Sequence, residues 1–461
     1  MSTIANEPRS ILGEGRLSVE ERVARGRAAR AAVPRGLHAR WEPTLDRPDP
    51  VSLLESQAQS RLSDLTRIRY GRMVASPFSF YRGAAIVMTE DLGSTPTSGI
   101  KTQLCGDAHL SNFGVFASPE RTLVFDLNDF DETLPGPWEW DLERLAASFV
   151  IAGREIGLSE EQGRKAVATA VRAYASHMSR FAAEGDLGTW YSHVTADDVI
   201  DLIATSKGKK AARRGAAKAK TSDNLHALAK LTTLVDGRPR IVDDPPLLMR
   251  VDVNELVEDV NSTFLAYRRT LQDDRRQLLE RYELVDVARK VVGVGSVGTR
   301  CFVALLVGRD DQDPLFLQIK EAEASVLERR LPKSRYRNHG QRVVAGQRLM
   351  QATTDIFLGW IRGDDGRDYY WRQLRDMKGS VPLEALSLGM PAYAEACGWA
   401  LARAHARSGD RIAIASYVGN GDRLGRALAT FAVTYADQNE RDHGTMLAAI
   451  KSGRLVAETG V

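Results

Sequence analysis

Large apolar residues are sparse over the first fifty positions, where Arg, Ala and Pro dominate. This predicts a mobile basic arm over 1–50 with one helical piece at 18–32. From Val51 the spacing turns helical, with Leu53, Leu54, Leu62 and Leu65 recurring, until proline and glycine punctuate the aromatic run of 76–83. That run reads either as a core strand ending in an exposed Arg82 or as a segment that brings Arg82 to a phosphate. Further on, FGVF and TLVF flank turn residues at 117–121 and predict a hairpin. After the break at Pro135-Gly136-Pro137 a helix starts near Asp141, with Leu142, Leu145, Ala146, Phe149 and Val150 on one face. A second helix spans 159–183, and helical spacing returns at 221–235 and 253–284.

The pattern changes at 286. Three β-rich runs, VARKVV, RCFVALLV and LFLQIK, are separated by the glycine-rich stretch 293–298 and by GRDDQDP. A helix at 341–352, strands at 355–359 and 369–374, and long helices at 384–406 and 421–443 complete the chain. The whole predicts an α+β protein. Residues 51–200 form a helical part that carries an acidic loop, and 201–284 a basic linker and helical segment. Residues 285–380 form a β-rich lobe, and 381–461 return to helices.

Composition narrows the setting. With 461 residues, 43% hydrophobic and 27% charged, the chain is long enough for two lobes and ordinary for a globular protein. A net charge of +3 is too small to imply a polyanionic partner. Cys105, Cys301 and Cys397 lie far apart with no C-x-x-C pair, which points to a reducing cytoplasm. The start, MSTIANEPRS, has no apolar signal core, and no run has the length of a membrane span. The basic stretch KGKKAARRGAAKAK at 207–220 has no interleaved aromatic residues. It reads as a solvated helical linker rather than a nucleic-acid surface, with an anionic partner patch as the alternative.

The chemistry concentrates between Leu104 and Glu132. One short loop holds Asp107, His109 and Asn112, and the predicted hairpin returns Asp126, Asn128, Asp129, Asp131 and Glu132 close to it. Crowded carboxylates repel unless a cation, a proton or a donor compensates. Interleaved with apolar residues, they suit a hard cation such as magnesium, held by one or two carboxylates plus substrate phosphates. Far downstream, Gly293, Gly295, Ser296 and Gly298 precede another strand rather than a helix. That disfavours a dinucleotide fold and fits a glycine-rich hairpin over phosphates. Lys320 ends the third β run, in L-Q-I-K, and reads either as a solvated strand-end lysine or, with the glycines, as a phosphate ligand.

Asp107 and Asn112 are spaced as in the D-x-x-x-x-N of kinase catalytic loops, and Asp129-Phe130-Asp131 resembles D-F-G. GDAHLSNFG resembles still more closely the H-G-D-x-H-x-x-N loop of aminoglycoside phosphotransferases and choline kinases. CGDAHLSNFG, NDFDET and WEWDLERLA resemble an uncharacterised bacterial family, domain-of-unknown-function family 2252, over about 64–442. The resemblance implies a two-lobed, protein-kinase-like fold with a largely helical C-lobe, using ATP and Mg2+. In that reading Asp107 is the base, with His109 beside it in the catalytic loop. Asn112, Asp129, Asp131 or Asp126 hold magnesium, and Gly293, Gly295, Ser296, Gly298 and Lys320 bind the nucleotide. Asp141 opens the next helix in a structural role, as support or as helix N-cap, residues 371–375 form the hinge, one of Glu321, Glu323 and Glu328 pairs with Lys320, and His405 lies on a helix resembling the one that precedes the catalytic loop in small-molecule kinases.

The order departs from ordinary kinases, because the catalytic loop comes before the glycine loop, lysine and hinge. The reading is therefore a circularly permuted fold, acceptable where termini meet at a surface. Cys105 stands where the loop histidine would be, Asp131 replaces the glycine of D-F-G, and Arg300 replaces the glycine-loop valine. Two functions follow: a phosphotransferase acting on a hydroxyl-bearing substrate, or a catalytically weak nucleotide-binding module. A metallohydrolase would want more histidines than His109 supplies.

Overall fold

The computed structural model describes residues 17–251, 262–374 and 376–460. Around the acidic loop, Lys101–Leu104 (β1) pairs antiparallel with Leu134–Pro137 (β4), and Phe113–Ala117 (β2) with Leu123–Leu127 (β3). The β2–β3 hairpin forms where alternating aromatic and β-branched residues predict it. Its register sets Gly114 opposite Asp126. The breaker at 135–137 ends β4 and opens the helix Trp138–Glu155, buried almost throughout because other elements surround it. Ser159 caps the next helix, Glu160–Ala183, in a reciprocal capping box with Gln162. The helices Met390–Ser408 and Asp422–Lys451 complete this body. Gly398 lets the helices Met390–Ser408 and Glu160–Ala183 approach closely, since a Cβ there would meet the Ala170 carbonyl at 2.2 Å. Trp138 stacks on Tyr174 at 5.6 Å in the same core.

The second body is a sheet. Beside it, Thr232–Val235 (β5) and Arg238–Ile241 (β6) form a separate hairpin. The sheet holds Leu248–Arg250 (β7), Glu283–Lys290 (β8), Cys301–Val307 (β9), Pro314–Ala322 (β10), Gly359–Arg362 (β11) and Asp368–Gln373 (β12). Its order is β11-β12-β10-β9-β8-β7, antiparallel throughout. Strand β10 is buried at every position because both faces are covered. On one face Tyr267 and Leu279 pack against Val287, Leu317 and Trp371, with Tyr267 stacked on Trp371 at 4.4 Å. On the other, Ala227, Leu231 and Ile241 cover Val303, Leu305 and Phe316. The helix His339–Met350 joins the two bodies. Its Arg342 donates to the backbone carbonyls of Thr133, Asp131 and Glu323.

Several expectations are corrected. From Val19 onward the basic segment is no free arm. The helix Val19–Ala32, capped by Ser18, lies on the helix Arg411–Val418, where Gly26 lets the backbones meet and Arg22 bonds Asp410 at 2.7 Å. Trp41 is buried against Tyr435. The part of that expectation over 1–16 lies outside the described residues. The aromatic run is a helix, Pro77–Gly83, capped by Ser76 with proline in its first turn. Residues 232–235 and 283–284 are strand rather than helix, because sheet pairing overrides weak helical spacing. The expected strand at 355–359 begins only at Gly359. The basic stretch is the helix Ser206–Lys220, anchored through Ala219 near Leu123 and Ala196. Among the described residues, no helix is long and apolar enough to cross a membrane.

One buried acid gives a pH test of this fold. Glu139 is 2% exposed; its Oε1 accepts the Ser98 N–H, while Oε2 has no partner. Burial pushes its carboxyl up to about 7, against the Ser98 bonds and the His38 charge. The folded chain therefore holds a proton that the unfolded chain has already released, so stability falls as pH rises through that range. Glu139→Gln should be roughly 1–3 kcal/mol more stable than the parent at pH 8 and differ little at pH 5. Denaturant melts at the two pH values check this, and an unchanged pH dependence counts against it.

Candidate functional site

A cavity of about 450 Å³ lies where the acidic loop meets the sheet and the glycine-rich stretch, with Asp107, His109, Asn112, Asp129 and Asp131 in its lining. Asp141 pins the loop from behind. Its two carboxylate oxygens accept the N–H groups of Cys105 at 2.7 Å and Gly106 at 2.9 Å, the supporting part its position suggests. His405 Nε2 lies 3.2 Å from the same carboxylate. Gly106 has φ +85°, and a Cβ there would strike the Glu132 carbonyl at 2.4 Å, so no other residue fits this turn.

Asn112 ties the two acidic segments together. Its Nδ2 donates to the carbonyls of Asp107 and Asp129, each at 3.0 Å, and its Oδ1 accepts the Asp129 N–H at 2.8 Å. Its amide oxygen is thus engaged in holding the loop, which moves the metal-ligand expectation toward the carboxylates. Asp107 accepts two guanidinium N–H groups of Arg144 on Oδ1, and its Oδ2 lies 3.7 Å from His109 Nε2. Burial lowers the His109 pKa to about 4, with Arg82 and Arg144 adding and Asp107 opposing, so the ring is neutral at physiological pH. A neutral imidazole supports or hydrogen-bonds here rather than donating a positive charge.

The second cluster closes on the sheet. Lys320 Nζ donates to Asp131 at 2.6 Å and to both oxygens of Asp129 at 3.3 Å. Tyr370 O–H donates to the other Asp131 oxygen at 2.7 Å, and Ser296 O–H to Asp131 at 3.3 Å. Burial opposes the Lys320 charge, but Asp129 and Asp131 outweigh it and hold the ammonium well above its usual range. Burial likewise works against ionised Asp129, yet Lys320, Arg372 and Lys378 hold its carboxyl far below the usual range. Burial pushes Glu132 up to about 7, against the Val326 N–H and Arg342. Gly293, Gly295 and Ser296 line the cavity; Gly298 packs behind on Arg61, whose guanidinium donates to Val297 O.

Three expectations fail in this geometry. Asp126 does not reach the cavity. Its strand position turns it toward the helix Met390–Ser408, where both oxygens accept from Arg403 at 2.8 Å. None of the three glutamates takes Lys320. Glu321 pairs with Arg300 and Arg367, and Glu328 accepts the Ser334 N–H. Residues 371–374 are no open hinge. Trp371 is buried in β12 and Leu374 N–H still bonds Phe316 O, so of this segment only the Arg372 side chain lines the cavity, beside Lys378, Gly379 and Ser380. Arg375 lies outside the described residues.

Sequence reasoning missed Arg144, although its spacing three after Asp141 puts it on the same helix face. It also missed Arg372, which reaches Asn128 O at 3.0 Å. Among the described residues no three His, Cys, Asp or Glu side chains converge as a metal cage. Asp129 and Asp131, with side chains 40% and 30% exposed, present a carboxylate pair of the kind that holds magnesium jointly with phosphates.

No curated protein and no solved structure matches the chain. The sequence pattern of a bacterial family, described as "Uncharacterized protein conserved in bacteria (DUF2252)", matches residues 61–449. That stretch carries the acidic loop, the glycine-rich turn and Lys320 alike, and the chain belongs to this family.

Proposed function

We propose that the chain is an ATP- and magnesium-dependent phosphotransferase of circularly permuted, kinase-like fold that acts on a hydroxyl acceptor. The observation that carries this reading is the closure of Lys320 and Ser296 onto Asp131, from 189 and 165 positions away. A glycine-rich turn, a strand-end lysine and two carboxylates around one cavity are the parts that phosphoryl transfer requires. The sheet order adds support. The strand after the glycine turn pairs with the lysine strand, and the helix His339–Met350 follows before the last two strands.

Asp107 Oδ2, the oxygen not taken by Arg144, orients the acceptor hydroxyl and accepts its proton. Lys320 and the 293–296 backbone bind nucleotide phosphates, and Asn112 fixes the distance between the two acidic segments. Asp129 and Asp131 are the residues that would hold magnesium, which supplies neutralisation of charge on the phosphate oxygens. The Asp107–Arg144 ion pair favours a second reading, because an engaged carboxylate is a weaker base. This is a nucleotide-binding module with little transfer activity. ATP consumption across hydroxyl-bearing metabolites separates the two, since both bind nucleotide.

Magnesium–ATP at about a hundred times its Kd should stabilise the chain by roughly 2.7 kcal/mol, a melting shift of several degrees. Lys320→Ala and Asp129→Ala should each remove most of that shift, and the double variant should lose little more. Fully additive losses would mean two separate sites.

A further inference from the structure

This chain pairs its buried arginines with acids almost everywhere. Arg144 sits on Asp107, Arg403 on Asp126, and Arg47 bridges Asp91 and Asp442. Arg342 and Arg372 have no acid but are held by carbonyl and amide oxygens; the fully buried Arg69 and the partly buried Arg61 and Arg82 are less well matched. Among the described residues none of these last three has a carboxylate within ion-pair distance, and the Nε of each is buried without a hydrogen-bond partner. Arg61 and Arg82 line the cavity. Arg69, fully buried, stands behind them and donates to Gln57 Oε1 and Gly83 O, residues of the same wall. Arg82 makes no hydrogen bond at all among the described residues.

Burying a guanidinium without a partner is costly, and such a group is retained where a ligand supplies the missing charge. The ligand belongs on the Asp107 side of the cavity. The acids whose charge acts on Arg82 are Asp107 and Glu155, whereas those acting on Arg61 are Glu323, Glu132 and Asp131, so Arg61 reaches the ligand from the Asp131 end of the cavity. His109, 7% exposed, lines the same part of the cavity with its Nδ1 unpartnered. Its neutral ring adds a polar contact without cancelling the charge.

We propose that the acceptor is itself anionic: an alcohol bearing a phosphate group, which docks on Arg82 with Arg61 as the second cation and sets its free hydroxyl against Asp107. Two guanidinium groups match a phosphate dianion, which takes several N–H donors at once. The same wall repels amine-bearing acceptors. This inference rests on the phosphotransferase reading. In the step it implies, the acceptor oxygen bonds to the γ-phosphorus of ATP as the bond to the β–γ bridging oxygen breaks. Asp107 takes the hydroxyl proton, and ADP and a doubly phosphorylated product leave.

The test uses the full chain and calorimetric titrations of inorganic phosphate and of magnesium–ADP at constant ionic strength. The parent chain should bind both, and phosphate should still bind when magnesium–ADP is saturating. Arg82→Gln should weaken phosphate binding at least about tenfold, the scale of a charged hydrogen bond, and change magnesium–ADP binding by less than about twofold. It should not lower the melting temperature, because Arg82 supports no neighbour; Arg61→Gln should weaken phosphate binding in the same direction. Phosphate binding that is absent, insensitive to Arg82→Gln, or competitive with magnesium–ADP would overturn the acceptor subsite, the last by giving the arginines to the nucleotide. Arg82-dependent phosphate binding in a chain that binds no magnesium–ADP would overturn the phosphotransferase reading, and with it the acceptor role, leaving an anion site alone.

Discussion

Asp107→Asn is expected to lose phosphoryl transfer by about a hundred- to ten-thousand-fold, the usual contribution of a positioned general base, and to keep magnesium–nucleotide affinity. The separation follows from geometry. Asp107 meets the cavity from the catalytic loop, while the nucleotide side is built from Asp129, Asp131, Lys320 and the glycine turn. An amide retains the acceptor oxygen for Arg144 but cannot take a proton. It also removes the counter-charge of an arginine whose side chain is only 2% exposed, so some loss of stability accompanies the loss of rate. Nucleotide affinity, measured in the same preparation, separates the two effects. A variant that turns over at nearly the parent rate would remove Asp107 as base and favour the weakly active module.

Local chemistry made part of this site legible. The β2–β3 hairpin follows from aromatic alternation around a turn, and Asp107 and Asn112 from their spacing on one loop. Lys320 stands out as a lysine ending an apolar strand. Its partners do not, because Asp129 lies 191 positions away and only tertiary folding brings them together. The glutamates next to Lys320 in sequence were the natural candidates, yet strand alternation turns Glu321 toward Arg300 and Arg367. The first fifty residues misled for another reason. A segment can be anchored by a few buried groups, here Trp41 and His38, without the dense apolar spacing that signals a core. Of the arginine wall only Arg82 stood out in sequence, at the end of the aromatic run; Arg61 and Arg69 look like any other arginine until their surroundings are known.

The sharpest contrast is between two acids three residues apart. Asp126 and Arg403 have side chains 2% and 1% exposed, and the Leu127 and Ala352 N–H groups complete the Asp126 carboxylate. Asp126→Asn leaves the arginine charge uncompensated and should cost about 3–5 kcal/mol, the penalty for breaking a buried pair. At roughly 2–4 °C per kcal/mol for a domain of about this size, the melting temperature should fall by about ten degrees. The magnesium–nucleotide shift measured from that lower baseline should survive, since Asp126 faces the helix Met390–Ser408 and not the cavity. Asp129→Asn should do the reverse. Its side chain is 40% exposed and Lys320 keeps Asp131, so apo stability should fall by less than in Asp126→Asn while the ligand shift disappears. Thermal melts of both variants with and without magnesium–ADP read both effects. If Asp126→Asn spared stability and abolished the shift, the two acids would have to exchange roles. The hairpin would then have to present its 126 face to the cavity, against the register that pairs Gly114 with Asp126.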